Sequence, residues 1–355
     1  MSAIQIIDAA KLLASPPPKI EWAIEGILPV GTVGDIFGPP GEGKSSLTLD
    51  FGIAVASGTG NWFGLPCIAG PVVLLGGERS GIAAFSRDLH RASQGRVIDT
   101  GMLIMPQNDQ GDCPPLWAWD KHVDRWATTP WGEQVTEWLA AINPVLIIID
   151  TLPSAASGSN IIDQPQQYSL GITIRQWAKM LGDPTVLTIS HTNQASATQE
   201  LVSRLHYLSR AGGNGLPGAL RWIGGVSRLR GGEMDMVPGG HDYDPLNPEK
   251  RFIAFGVSKN NEMPSPHWTA VRPAFFQMNI DGSLQLVETD AAAFNRHYPD
   301  LTKEDDMGRN TKKTKKTKKT KKNADEYPII EPYPQENEGD NEYWRAKNGD
   351  GYERW

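Results

Sequence analysis

Residues 38–45 read GPPGEGKS and match the spacing G-x-x-x-x-G-K-S/T, which is the pattern of a phosphate-binding loop. Gly41 and Gly43 let main-chain N–H groups point inward around a β-phosphate, where a Cβ would intrude. Lys44 offers a charge to the β- and γ-phosphates, and the Ser45 hydroxyl can complete a Mg²⁺ shell. The pattern predicts a nucleotide site rather than a glycine-rich turn with an exposed lysine. Its predicted contacts are Gly38, Gly41, Glu42, Gly43, Lys44, Ser45 and Ser46.

Three polar residues at the ends of apolar runs could complete such a site. Asp150 ends the run VLIIID and can hold a Mg²⁺-bound water, although many buried strands end in Asp. Glu78 follows VVLLGG and can orient an attacking water; the alternative is an ordinary surface Glu at a strand end. His191 follows TVLTIS and can hydrogen-bond a γ-phosphate, or it can be a buried structural histidine. We predict that Asp150 binds the metal and that Glu78 and His191 are catalytic.

Apolar runs of strand length alternate with helical patterns between residues 20 and 287, as in a parallel sheet with helices on both faces. The runs are continuous rather than alternating, which suits strands buried on both sides. We predict strands at residues 32–37, 71–75, 144–149, 185–190 and 252–257. We predict helices at residues 45–56, 133–142 and 168–181. Residues 193–220 are polar and glycine-rich, and they predict a long mobile loop.

The composition excludes several classes of protein. The 355 residues include only two cysteines, Cys67 and Cys113, which are too few for a disulfide framework or a four-ligand zinc site. The longest apolar runs are far shorter than the roughly 20 residues that span a bilayer. The N-terminus carries prolines at 16, 17 and 18 and no signal-peptide pattern. We therefore expect a soluble cytoplasmic protein with no membrane contact.

The charge is divided unevenly along the chain. Residues 311–322 repeat TKK, with eight Lys and no acid, whereas residues 323–355 carry nine acids against three bases. Residues 1–310 therefore carry a net charge of −9 within a total of −7, so contact with nucleic acid must come from local basic loops. The predicted organisation is an N-terminal segment at 1–19, one α/β domain at 20–300, and a disordered lysine-rich linker with an acidic, aromatic tail at 301–355.

Five segments together resemble one family. They are EWAIEGILPVGTVGDIFGPPGEGKSSLTLDFGIAVASG, VVLLGGE, LIIID, LTISHTNQ and AFGVSKNNEMPSP. Over about residues 20–275 the chain resembles the RecA-like ATPases of the RepA type, which are hexameric replicative DNA helicases, and the related RadA-like ATPases. The resemblance implies a RecA-like P-loop core, a mostly parallel twisted sheet, and ATP and Mg²⁺ as cofactors. The family's nucleotide, glutamate, magnesium and sensor positions fall on Lys44, Ser45, Glu78, Asp150 and His191.

The resemblance also implies contacts between subunits and with DNA. Family members hydrolyse ATP at subunit interfaces with basic residues from the neighbouring subunit; Arg221 and Lys259 are the candidates, and the alternative is that both are ordinary surface cations. Residues 153–167 and 193–218 would be the loops that line a central channel. Within the second loop the candidate DNA-phosphate contacts are Arg204 and Arg210. A surface loop with incidental arginines is the alternative.

Two aromatic features lie outside this pattern. Trp117, Trp119, Trp126, Trp131 and Trp138 form a dense cluster, which we predict to be aromatic core rather than a base-stacking surface. The last residues, NEYWRAKNGDGYERW, resemble a recruitment peptide for a replication partner, with a solubilising tail as the alternative.

Taken together, the residues and the resemblance predict an enzyme that hydrolyses ATP. The predicted function is that of an ATP-dependent DNA helicase, a homo-oligomer in the form of a hexameric ring that translocates on single-stranded DNA. Two alternatives stay open. The first is a RadA-like recombination or repair ATPase that forms filaments, and the second is a non-motor nucleotide switch that binds a protein partner.

Overall fold

A computed structural model describes residues 8–76, 81–158, 163–193, 195–240, 251–261, 266–279 and 281–299. The chain divides into two compact units, residues 1–307 and 308–355, and the second unit lies outside the described residues. The lysine-rich and acidic segments, for which we predict disorder and partner binding, also lie outside them.

The elements of the first unit follow in chain order. The strands are β1 Trp22–Ile24, β2 Leu28–Pro29, β3 Val33–Gly38, β4 Asn61–Trp62, β5 Leu65–Pro66, β6 Val72–Leu75, β7 Leu103–Ile104, β8 Trp117–Asp120, β9 Arg125–Thr128, β10 Leu146–Ile149, β11 Ala156–Ser157, β12 Thr185–His191, β13 Trp222–Arg228, β14 Arg251–Asn260, β15 Ala274–Met278 and β16 Leu284–Val287. The α-helices are α1 Ala9–Leu13, α2 Lys44–Ala56, α3 Gly81–Ser93, α4 Pro130–Ile142, α5 Leu152–Ala155, α6 Gln164–Met180, α7 Leu201–Leu205, α8 Gly215–Ala219 and α9 Ala291–His297.

One large mixed sheet organises the domain. Among the described residues it has nine strands in the order β16-β15-β14-β13-β3-β12-β10-β6-β7. The strands from β13 to β7 run parallel, whereas β14, β15 and β16 are antiparallel. The α/β fold with a mostly parallel sheet is as predicted. The strand at 252–257 is also present, but it is longer and belongs to the antiparallel edge.

Alternating side chains of the central strands enter cores on opposite faces of the sheet. On β10, Ile148 packs in the same core as Leu47 of α2, whereas Ile147 and Ile149 pack with Ile174 of α6 on the other face. Burying one such aliphatic side chain stabilises the fold by roughly 1.5–3 kcal/mol. Because both faces are apolar, the strand is a continuous apolar run, and this pattern is what predicted it.

The predicted mobile loop at residues 193–220 is wrong. The described part of this segment contains α7, α8 and two short 3₁₀ turns, and Leu201, Leu205 and Leu216 are fully buried. Main-chain hydrogen bonds from Asn193 to Ser209 and from Ala211 to His191 close its first part into a compact loop. Each helix has only five residues, too few to show a helical period among the glycines.

The prediction that the tryptophan cluster belongs to the core is confirmed. Trp117 and Trp126 are buried in the core on the α6 face, and the other three tryptophans pack against it. Trp117 meets Trp177 of α6 edge-on, with ring centroids 5.3 Å apart. Strands β8 and β9 form a hairpin, and β11 pairs with β8, so this small sheet lies beside the chain that follows Asp150.

Candidate nucleotide site

The phosphate-binding pattern forms a tight turn between β3 and α2. Gly41 and Gly43 have φ angles of 72° and 93°, a left-handed conformation that side chains with a Cβ rarely adopt. At Gly43 a Cβ would also lie 2.8 Å from Cε of Met278 and 3.0 Å from Cδ1 of Ile253. At Gly38 it would lie 2.2 Å from the Val226 carbonyl oxygen. Backbone conformation and packing therefore require glycines here in addition to room for a phosphate.

Lys44 starts α2, and its ammonium group is held at the loop. The side chain is buried, and Nζ donates hydrogen bonds of 2.8 Å to the carbonyl oxygens of Gly38 and Pro39. The positive end of the helix lies at the same point. The charge of Lys44 and the N–H groups of the first turn, which includes Ser45 and Ser46, therefore face one site suited to an anion.

Glu42, which we predict to contact nucleotide, has its carboxylate bound elsewhere. The carboxylate accepts 2.9 Å hydrogen bonds from the Ser227 hydroxyl and the Arg228 N–H, and it forms an ion pair with Arg230. The strand β13 therefore holds the phosphate loop through Glu42. Glu42 can therefore contact a phosphate only through its main-chain N–H group.

The candidate metal ligand Asp150 follows β10 directly and lies beside the neighbouring strand β6. Its N–H donates a 2.7 Å hydrogen bond to the Leu75 carbonyl, and a Cβ at Gly76 would lie 1.8 Å from the Asp150 carbonyl oxygen. Asp150 also lines a small cavity with Thr48, which is one turn along α2 from Ser45. Strand β6 therefore brings the chain against Asp150 two residues before Glu78. Glu78 itself lies outside the described residues, so its role stays a prediction.

Mg²⁺ prefers oxygen ligands, and the carboxylate of Asp150 and the hydroxyl of Ser45 are groups of that kind. Asp150 follows β10 directly, and Ser45 lies in the first turn of α2, whose Thr48 lines a small cavity together with Asp150. The described residues contain no group of three His, Cys, Asp or Glu side chains that could hold a metal without help. Mg²⁺ commonly takes one or two protein ligands and completes its shell with water and substrate phosphates.

His191 is adjacent to the phosphate loop. Strand β12 lies between β3 and β10, and its last residue, His191, is the direct partner of Gly38 in the parallel pairing. The next residue, Thr192, donates a 3.4 Å hydrogen bond to the Gly38 carbonyl. The contact between His191 and a γ-phosphate stays a prediction.

Arg221 and Lys259 lie near the end of the sheet at which β3 and β13 begin, opposite the end that carries the phosphate loop. Arg221 immediately precedes β13, where Trp222 pairs with Gly34, four residues before Gly38 and so about 13 Å along the strand. Lys259 of β14 pairs with Ile223 and donates a hydrogen bond to the Pro217 carbonyl. Burial lowers the pKa of Lys259, and the nearby Arg221 charge lowers it further. The two cations are therefore together, but away from the phosphate loop of their own chain.

Arg204 and Arg210 are not available to DNA, contrary to prediction. Arg204 is 2% exposed and donates to Glu233 at 2.7 Å and to the Ser227 hydroxyl at 2.8 Å. Arg210 is 3% exposed and donates to the fully buried Asp35 of β3 at 2.7 Å. Buried charges need such partners because leaving water is costly. For the pair of Arg210 and Asp35 the sequence carries one signal, which is the charged Asp35 within the apolar run TVGDIF. For the pair of Arg204 and Glu233 it carries none.

The fold and this site define a class of protein. A glycine loop between a strand and a helix carries the buried Lys44, and Asp150 and Ser45 supply oxygen ligands of the kind that Mg²⁺ prefers. These are the features of a P-loop nucleoside triphosphatase. The chain belongs to the AAA_25 family, an AAA domain whose family model matches residues 2–197. It is a P-loop ATPase, and such domains use nucleotide and Mg²⁺.

Comparison with curated proteins gave no match. Among the described residues, no helix combines the length and the apolar character needed to cross a membrane.

Proposed function

We propose that this ATPase is a DNA helicase of the RepA-like replicative type, which couples ATP hydrolysis to translocation on single-stranded DNA. The observation that carries the proposal is the position of His191. It is the partner of Gly38 at the phosphate loop, and its carbonyl accepts a 2.8 Å hydrogen bond from Ala211. A residue beside the phosphate loop is thus directly bonded to the segment 193–218, which the proposal assigns to DNA.

In this mechanism Lys44 and Ser45 hold the triphosphate, and Asp150 supports the metal. Mg²⁺ supplies neutralisation of charge on the β- and γ-phosphates when it is bound. Glu78 orients the attacking water, and His191 senses whether the γ-phosphate is present. We propose ATP as the nucleotide.

Hydrolysis in this mechanism needs a second copy of the chain. Arg221 precedes Trp222, which lies about 13 Å along the strand from Gly38, and Lys259 pairs with Ile223 beside it. In this mechanism a cation from this pair therefore reaches the γ-phosphate of a neighbouring subunit. A closed ring supplies that contact at every interface. We therefore propose a homo-oligomer, and specifically a hexamer.

The burial of Arg204 and Arg210 changes the proposed DNA contact. In the same segment the rings of His206 and Tyr207 are partly exposed with centroids 4.5 Å apart, and Leu208 beside them is 53% exposed. Aromatic side chains can stack on bases of single-stranded DNA without sequence preference. We assign DNA contact to this aromatic pair in place of the two arginines.

The test measures ATP turnover with and without single-stranded DNA, together with unwinding of a forked duplex. A helicase shows stimulated turnover and unwinding. Stimulation without unwinding would favour the recombination ATPase, and the absence of both would favour the nucleotide switch. Tyr207→Ala should lower the stimulation by DNA, whereas Tyr168→Ala, at a half-exposed tyrosine of α6, serves as the matched control.

A further inference from the structure

A cavity of about 140 Å³ lies beside the nucleotide site, on the other face of the sheet from α2. It is enclosed by the chain after Asp150, by α6, and by the end of β12 with the residues that return to it. Its lining residues are Leu152, Pro153, Ala156, Gln167, Leu170, Ser190, His191, Arg210 and Ala211. Leu152 and Leu170 belong to the core on the α6 face, whereas α2 packs in the core on the opposite face.

The size of the cavity limits its occupant to about one ring. An apolar protein cavity of about 150 Å³ accepts a benzene molecule. Leu152, Pro153, Ala156 and Leu170 supply apolar walls for such a ring, and a fused double ring would be too large. A single six-membered ring therefore fits the space.

The charges at the cavity favour a neutral occupant. Arg210 is paired with the buried Asp35 at 2.7 Å, so its positive charge is already neutralised. Ser190 donates to the same carboxylate at 2.6 Å and accepts from Arg210 at 3.0 Å. A phosphate or carboxylate would meet no uncompensated cation at these two residues, and moving it out of water would be costly.

Gln167 supplies the polar recognition. The residue is 4% exposed and lines the cavity. As a lining residue it can offer its side-chain amide to an occupant of the cavity. A primary amide offers one acceptor and two donors, which complement a ring that carries adjacent C=O and N–H groups. The edge of a pyrimidine base has this pattern.

We propose that this cavity binds one pyrimidine base of single-stranded DNA and that the Gln167 amide reads the edge of the base. The inference rests on the proposed function, because the cavity is lined by residues of both segments, 153–167 and 193–218, that the helicase proposal assigns to DNA. Stacking on aromatic side chains alone would bind DNA without sequence preference. The base site adds a preference for pyrimidine over purine.

The experiment compares binding of fluorescent oligo(dT) and oligo(dA) of equal length to the full chain. The wild-type protein should bind oligo(dT) more tightly. Gln167→Leu removes the amide at similar volume and should weaken oligo(dT) binding about tenfold, with oligo(dA) binding little changed. Gln176→Leu, at an exposed glutamine on the same helix, should keep the preference. Ala156→Leu fills the cavity from another element and should also remove the preference, and thermal unfolding confirms that each variant folds.

The outcomes separate this inference from the proposed function. Equal binding of the two oligonucleotides by wild type, or an unchanged preference in both Gln167→Leu and Ala156→Leu, would overturn the base site while leaving a helicase intact. If wild type binds neither oligonucleotide, the helicase proposal fails. Saturation-transfer NMR with free thymidine then tests whether the cavity binds a pyrimidine. Loss of the thymidine signal in Gln167→Leu supports the site, and the absence of any signal in wild type refutes it.

Discussion

The buried pair of Asp35 and Arg210 gives the sharpest prediction for stability. The Asp35 carboxylate is 0% exposed and accepts hydrogen bonds from Thr188 and Ser190 at 2.6 Å and from Arg210 at 2.7 Å. Asp35→Asn keeps the shape of the side chain but leaves the Arg210 guanidinium buried without a counter-charge. Breaking a buried ion pair in this way costs about 3–5 kcal/mol.

Urea unfolding measures this loss directly. With a slope of about 2–3 kcal/mol per M, the expected cost lowers the midpoint by roughly 1–2.5 M. Asp183→Asn is the matched control because Asp183 is exposed and has a φ of 59°, a conformation that Asn also tolerates. Its free energy of unfolding should stay within about 0.5 kcal/mol of wild type.

A double variant tests whether charge is the cause. Asp35→Leu combined with Arg210→Met removes both charges and should recover most of the stability lost in Asp35→Asn, since apolar replacements of buried pairs are often neutral. An unchanged midpoint for Asp35→Asn would refute the reasoning, as would a double variant less stable than Asp35→Asn.

Three further predictions concern catalysis and reactivity. Lys44→Ala should abolish nucleotide turnover, whereas Glu78→Gln should still bind ATP in a filter assay but not hydrolyse it; wild-type turnover by Glu78→Gln would exclude its role as base. Arg221→Ala should be inactive alone, yet mixing it with Lys44→Ala should restore some turnover, because a mixed assembly contains interfaces with an intact loop and an intact cation. Burial raises the pKa of Cys67 to about 11, so its alkylation by iodoacetamide, followed by peptide mass spectrometry, should keep accelerating above pH 9. A rate that levels off at pH 9 would contradict the last prediction.

The central part of the fold could be predicted because its elements carry strong local patterns. Strand β10 is apolar at every position, and β3 and α2 flank a glycine loop whose spacing is specific. Such patterns depend on burial on both sides and on the φ angles of Gly41 and Gly43, and neither depends on distant residues. The positions of Asp150 and His191 at one edge of the sheet follow from the same strands.

The rest depends on contacts between residues far apart in the chain. An arginine in a polar, glycine-rich stretch suggests exposure to solvent and so predicts that Arg204 contacts DNA, yet its partner Glu233 is 29 residues away. Arg210 is paired across 175 residues with Asp35. A single sequence carries no signal for the first pairing, and for the second it carries only the charged residue inside the β3 run.

These two buried pairs connect the phosphate loop to the segment assigned to DNA. Arg204 of α7 donates to Ser227, whose hydroxyl donates in turn to Glu42 of the loop, at 2.8 and 2.9 Å. Arg210, six residues further along the same segment, is paired with Asp35 on the strand that leads into the loop. Because both arginines are bonded through buried polar groups, this part of the segment cannot shift without breaking contacts that hold the phosphate loop. The helicase that we propose requires such a connection, and in that proposal the two arginines supply it from the interior of the domain rather than from its surface.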